Sequence, residues 1–327
     1  MGDAEGGPFV TLVLPALDEE RYLEQCVRGL LAGGHPEDRM ELLVLDGGSS
    51  DETPAIAERL ERELPNLRLV ANPARLQSAA FNLALREADS RAEYLIRCDV
   101  HAEYPPGFVA RALRTAEETG AALVAFSDDP AHDGCFQAAV SFAQSTAIGV
   151  GGSRYRLGGW SGWVDHGKHG CFRRTPVESV GGYDESFSHN EDSELSLRLR
   201  EAGERIWLDG DLVVRYYPRD SVPALARQYW RYGRGRASTC LKHRVWPRPR
   251  QLAPVALVVW HAAVLVAAFW QPLVLLAPAA YLAALAAVST AAAVRRRQAC
   301  LLLGPVALAT MHHAWGAGFI SRVLARR

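Results

Sequence analysis

The sequence predicts an α/β domain with a mostly parallel, doubly wound sheet and helices on both of its faces, followed by C-terminal transmembrane helices. Three observations carry this. Short apolar runs alternate with amphipathic stretches over the first third of the chain. Each apolar run ends in a polar cluster. From Leu252 to about Phe319 acidic and basic residues almost vanish, apart from Arg295, Arg296 and Arg297.

The elements follow in order. Phe9–Leu14 is an apolar run that reads as a buried strand ending at Pro15. A helix over about 20–32 places Leu23, Val27, Leu30 and Leu31 on one face. Met40–Leu45 is a second strand, stopped by Asp46-Gly-Gly-Ser-Ser-Asp51. Thr53 is expected to cap the next helix, 54–64, which has proline in its first turn. Strand 67–71, helix 78–88 and strand 94–98 complete a βαβαβαβ series. That order implies parallel strands whose ligands bind beyond their carboxyl ends. The polar clusters lie at those ends.

Composition bounds the function. A chain of 327 residues can hold one large domain or two smaller ones. A net charge of −1 argues against bulk nucleic-acid binding, so no nucleic-acid partner is expected. The six cysteines (26, 98, 135, 171, 240, 300) form no CxxC pair and no zinc spacing, and a reduced, cytosol-facing environment is the simpler reading. No basic region followed by an apolar core opens the chain, so no signal peptide is visible.

The expected domains are a disordered 1–8, a domain over 9–250 with halves 9–101 and 102–250, and a membrane region over 251–327. In that last region, spans 252–270 and 272–294 each have the length to cross a bilayer, the alternative being an Ala/Leu-rich bundle in a soluble domain. Lys242, His243, Arg244, Arg248 and Arg250 before them, with Arg295–Arg297 after, place both flanks in the cytoplasm. A third span over 299–320, containing His312 and His313, either crosses or lies at the interface.

Candidate chemistry sits at the strand ends. Asp99 and His101 end the fourth strand, and alternate residues of an extended backbone share a face, so they form a candidate cation site. Asp46 is placed to meet a nucleobase or sugar, or else serves an ordinary strand-to-helix turn. Asp18, Glu19 and Glu20 are ligand contacts or first-turn charges favoured by the helix dipole. Arg75 and Gln77 contact phosphate or are solvated surface. A second acidic cluster, Asn190-Glu-Asp-Ser-Glu194, opens a helix, and Asp192 is a candidate general base or a helix-start carboxylate.

Taken in order, Val13-Leu-Pro-Ala-Leu-Asp-Glu-Glu20, Leu45-Asp-Gly-Gly-Ser-Ser-Asp51, Asp99-Val-His101 and Glu191-Asp192 resemble the landmarks of family 2 glycosyltransferases with the GT-A, Rossmann-like fold. The resemblance covers about residues 9–250 and is nearest the succinoglycan-biosynthesis subgroup. It implies inverting transfer from a nucleotide-sugar, most often a UDP-sugar. Pro15, Asp18, Glu20, Asp46, Arg75, Gln77 and Asp99 would then bind the nucleotide-sugar in the first half. Asp99 and His101 would hold Mn²⁺ or Mg²⁺, and Asp192 would be the base. Glu191, His166, His169, Gln228 and Arg231 would serve the acceptor or support the site. Two departures stand out. Asp18-Glu19 replaces the usual Asn-Glu, and His166 and His169 stand where the subgroup is mostly apolar, an arrangement that also suits a second metal site. Gln228 and Arg231 keep the spacing of the Q-x-x-R-W element of processive relatives but lack its ending, so single-sugar addition is expected.

The resemblance thus points to a membrane enzyme with its catalytic domain facing the cytoplasm. It would add sugar to a lipid-linked acceptor in exopolysaccharide or cell-envelope glycan synthesis. Transfer to polyprenyl phosphate, glycosylation of a small-molecule scaffold, and a non-catalytic nucleotide-sugar-binding scaffold are the alternatives.

Overall fold

The computed structural model describes residues 7–32, 34–151 and 159–325. In chain order its elements are β1 (Val10–Ala16), α1 (Leu23–Leu31), β2 (Met40–Asp46), α2 (Thr53–Glu63), β3 (Leu67–Ala71), α3 (Gln77–Glu87) and β4 (Tyr94–Arg97). There follow α4 (Phe108–Thr119), β5 (Leu123–Pro130), α5 (Cys135–Gln144), α6 (Ala147–Val150), β6 (Gly162–Val164), β7 (Gly170–Arg173) and α7 (Arg174–Ser179). The chain ends with α8 (Glu191–Glu201), β8 (Ile206–Tyr216), α9 (Val222–His243), α10 (Pro249–Ala267), α11 (Leu276–Arg296) and α12 (Gly304–Leu324).

Two compact units result, residues 1–129 with 158–216, and residues 130–157 with 217–327. The division differs from the expected one at 250, because α9 belongs with the C-terminal helices. The expected 1–8 tail lies outside the described residues except for Gly7 and Pro8.

The first unit is built on a sheet of order β3-β2-β1-β4-β7-β5-β8-β6. β1 pairs in parallel with β2 and β4, and β2 with β3, as the βαβ series predicts. Beyond β4 the sheet is mixed: β7 runs antiparallel to both β4 and β5, and β6 antiparallel to β8. Alternation along the strands builds two cores. Val10, Leu12 and Leu14 of β1 join Leu42, Val44 and Ile96 against α1, α2 and α4. Val13, Leu43, Leu45 and Leu95 face the other way, against Phe81 of α3, Val177 of α7 and Leu195 of α8. Strands buried on both faces read as unbroken apolar runs, which is why they are visible in the sequence.

In the second unit α9 and α12 approach closely. A Cβ on Gly233 would strike the backbone oxygen of Trp315, and one on Gly318 would strike that of Trp230. Ala307, Leu308 and Met311 of α12 are buried with Phe142 of α5, Leu225 of α9 and Leu285 of α11. The third apolar span therefore spends much of its apolar surface on protein contacts. The other two differ: segments Pro249–Ala267 and Pro272–Arg296, with mean hydropathy 1.5 and 2.0, are long and apolar enough to cross a membrane and are largely exposed.

A disulfide joins Cys135, at the start of α5, to Cys300 in the turn between α11 and α12, with Cα atoms 4.8 Å apart. This pairing departs from the expectation that the six thiols stand apart. Two cysteines separated by 165 positions leave no spacing signal.

Candidate active site

The loops after β1 and β2 are laced together. Asp18, in the left-handed region at φ 56°, donates its backbone N–H to Ser49 Oγ and accepts from the Ser50 N–H through Oδ1 at 2.8 Å. Glu20 Oε2 accepts from the backbone N–H of Glu52. Thr53 does not cap α2 as expected. Its hydroxyl accepts the Glu19 N–H, while Asp51 Oδ1 takes the Thr53 N–H. Asp46 accepts from the Gly48 N–H at 3.0 Å and the Ser49 hydroxyl at 2.6 Å, so its carboxylate shapes its own turn. Gly48 sits at φ 77°, and Arg75 donates to its carbonyl. Pro15 lies in β1 opposite Leu45. Of the two phosphate candidates, Arg75 thus reaches the turn that Asp46 shapes.

The tip of β4 differs from the extended chain expected there. The strand ends at Arg97, and the Ala102 N–H closes a turn on the Asp99 carbonyl, so Asp99 and His101 do not share one strand face. Asp99 Oδ2 lies 3.4 Å from His169 Nδ1, while its Oδ1 is buried without a hydrogen-bond partner. Burial pulls the Asp99 carboxyl up, but His169, Arg97 and Lys168 outweigh it and hold it well below the usual carboxylate range. His101 is half exposed, with Nδ1 2.8 Å from Glu19 Oε1. Among the described residues no cluster of three or more metal-ligating side chains forms.

His169 is buried behind Asp99, with Nε2 3.8 Å from Asp128 Oδ1. Burial, reinforced by the Lys168 ammonium, pushes its pKa down. Lys168 itself pairs with Asp128 at 3.2 Å. Of the two roles expected for His169, the acceptor or support of the site, its geometry fits the second: at 3% exposure it backs Asp99 and offers no surface. His166 is partly buried in the preceding loop.

The second acidic cluster meets β4 from the other side. Asn190, at φ 69°, turns the chain into α8. Asp192 Oδ1 accepts from Arg97 Nη1 at 3.0 Å and from the Tyr183 hydroxyl at 2.6 Å. Arg97 Nη2 donates to Gln77 Oε1 at 2.7 Å, which brings the start of α3 into the same network. Glu194 is used elsewhere, in a buried pair with Arg198. Tyr183 is fixed by Asn82, which accepts its N–H at 2.7 Å and donates to its carbonyl at 2.8 Å. Arg97, Tyr183 and Asn82 were not among the sequence candidates. Arg97 did leave a signal, a lone cation inside the buried run Tyr94-Leu-Ile-Arg97.

Glu191 stands 3.7 Å from Arg97. Burial, with the adjacent Asp192 adding to it, pushes its carboxyl up to about 7. Folded Glu191 therefore keeps its proton to a higher pH than the unfolded chain does. Through Glu191, stability is expected to fall as pH rises from about 4.5 to about 7, while the lowered His169 acts in the opposite direction. The lowered carboxylates Glu24 and Asp89 act below that window. Thermal unfolding across pH should show the slope in the wild type and its loss in Glu191→Gln.

Gln228 and Arg231 lie on α9, in the other unit, where Arg231 is exposed and Gln228 Oε1 is buried without a partner. A cleft of about 460 Å³ lined by Ser90, Tyr94, Arg173 and Arg174 opens where β4 begins, at the opposite end of that strand from Asp99, and takes no part in the site.

Parallel strands that end in carboxylates, facing an acidic helix start across the fourth strand, define an α/β enzyme whose ligand site lies beyond the carboxyl ends of the strands. The profile of glycosyl transferase family 2 matches residues 11–181. The chain belongs to that family. It is 39% identical over 314 residues to the succinoglycan biosynthesis protein ExoA of Rhizobium meliloti (strain 1021), a match covering 96% of this chain and 94% of that one. It is 24% identical over 240 residues to the dolichyl N-acetyl-alpha-D-glucosaminyl phosphate 3-beta-D-2,3-diacetamido-2,3-dideoxy-beta-D-glucuronosyltransferase of Methanococcus voltae, covering 69% of this chain and 72% of that protein. Among solved structures, the mannosyltransferase PcManGT from Pyrobaculum calidifontis in complex with GDP-Man and Mn²⁺ has the same fold. Its TM-score is 0.65 at 22% identity, covering 99% of this chain and 90% of that one.

Proposed function

We propose that this chain is a membrane-associated inverting glycosyltransferase. It moves a sugar from a nucleotide-sugar, a UDP-sugar in our reading, to a lipid-linked saccharide in exopolysaccharide or cell-envelope glycan synthesis. The observation that carries the reading is Asp192, held at the start of α8 by a residue of the strand that leads to Asp99. The name and 39% identity of the Rhizobium relative support polysaccharide synthesis, and the name of the Methanococcus relative supports a lipid-linked acceptor.

In this mechanism Asp192 takes the proton of the acceptor hydroxyl while that oxygen attacks the anomeric carbon. The new carbon–oxygen bond forms as the bond to the diphosphate breaks on the opposite face, so configuration inverts with no covalent enzyme intermediate. Asp99 and His101 are the residues that would hold a divalent cation, and the partnerless Asp99 Oδ1 together with the imidazole fits the oxygen and nitrogen donors that Mn²⁺ or Mg²⁺ accepts. Such a cation would stabilise the negative charge gained by the leaving diphosphate. Asp46, Arg75 and Gln77, with Pro15, Asp18 and Glu20, lie at the strand ends that would form the nucleotide side. The two long apolar helices raise the effective concentration of an amphiphilic acceptor beside the enzyme. Their basic flanks favour a cytoplasmic catalytic domain.

A panel of UDP-, GDP- and dTDP-sugars, with and without membrane lipid extract, tests this. One donor is expected to release its nucleotide only when both lipid extract and Mn²⁺ or Mg²⁺ are present. Equal release without lipid would favour a soluble acceptor, and no release from any donor would favour a non-catalytic scaffold.

A further inference from the structure

Sugar transfer as set out above uses Arg97 only as a contact of Asp192, although its side chain is the most enclosed cation near the reacting groups, at 3% exposure. Enclosing a guanidinium is costly and adds little to stability compared with an apolar replacement, and here Arg97 Nε is left buried without a hydrogen-bond partner. Its donors are distributed unevenly. Nη1 reaches Asp192 Oδ1 at 3.0 Å and the Tyr183 hydroxyl at 3.3 Å, and Nη2 reaches Gln77 Oε1 at 2.7 Å. The Tyr183 hydroxyl donates to the same Asp192 oxygen at 2.6 Å. Asp192 Oδ2 accepts no hydrogen bond among the described residues. A carboxylate loaded on one oxygen presents the other in a single orientation.

We propose that Arg97 is a positioning residue. With Tyr183 it pins Asp192 Oδ1, leaves Oδ2 to take the acceptor's proton, and through Gln77 ties that base to the start of α3 on the donor side. Tyr183 can serve only because its own backbone is clasped by Asn82 on both sides. A Cβ on Gly182, at φ 70°, would run into that same asparagine, so the clasp admits little else at the turn. The inference rests on Asp192 being the base.

The test uses the full-length protein and whichever UDP- or GDP-sugar the wild type turns over with lipid extract, alongside UDP affinity by calorimetry with Mn²⁺. Arg97→Gln is expected to lower kcat about 100-fold while donor KM and UDP affinity stay within about threefold. Arg97→Lys should recover much of that loss, and Tyr183→Phe should cost about tenfold in kcat alone. Because both residues act through Asp192, adding Arg97→Gln to Asp192→Asn should lower kcat by less than about threefold further. Full multiplication of the two losses, or a loss of UDP affinity with kcat retained, would overturn the proposal. Should Arg97→Gln fail to fold, Tyr183→Phe decides, and wild-type kcat in that variant overturns it. An Asp192→Asn enzyme of full activity would instead remove the base assignment itself, so the two failures are told apart.

Discussion

Asp192→Asn is expected to lower sugar transfer by about a thousandfold, within the range that a positioned general base contributes. The substitution is nearly isosteric, and the amide oxygen can still accept from Arg97 and Tyr183, whose bonds to Oδ1 measure 3.0 and 2.6 Å. Folding and nucleotide binding should therefore persist, and the loss should fall on kcat. Labelled-sugar transfer at saturating donor, with UDP affinity measured in parallel, checks this. Transfer within about threefold of wild type would exclude Asp192 as the base.

Asp99→Asn should have the second largest effect. The carboxylate is held low by surrounding charge and presents one buried oxygen with no hydrogen-bond partner, the oxygen we propose as a cation ligand. Its amide should reduce Mn²⁺-dependent UDP affinity by about tenfold or more, while the weaker affinity measured in EDTA is unchanged. Manganese titration followed by electron paramagnetic resonance reads the cation directly. Equal Mn²⁺ and UDP affinities in wild type and variant would remove Asp99 from the metal site.

The legible parts of this fold are those whose physics is local. Strands β1, β2 and β4 are covered on both faces, so each appears as an uninterrupted apolar run. β6 and β7 are three and four residues long and carry no period to read. The βαβ order located the nucleotide-side candidates because it fixes strand ends. It did not foresee the turn after Arg97, and the shared face assumed for Asp99 and His101 is lost there. Which of its two expected roles His169 takes was not legible, because its partners lie across the sheet, in Asp99 and Asp128, rather than among its neighbours along the chain. Tyr183 is of the same kind, brought to Asp192 through a contact with Asn82 some hundred positions earlier. Arg97 was legible in principle, since a lone cation within a buried strand requires a partner, and the only question was which.

Arg97 and Asp99 are two positions apart on one backbone segment. The proposed anchor of the candidate base and the candidate support of the departing diphosphate therefore share one ruler. Natural variation in sugar or acceptor can be accommodated by changing the loops that surround β4 without altering the distance between bond making and bond breaking. A one-residue insertion or deletion in Tyr94–Asp99 would disturb both ends of the proposed reaction at once, so this segment has little freedom to vary in length.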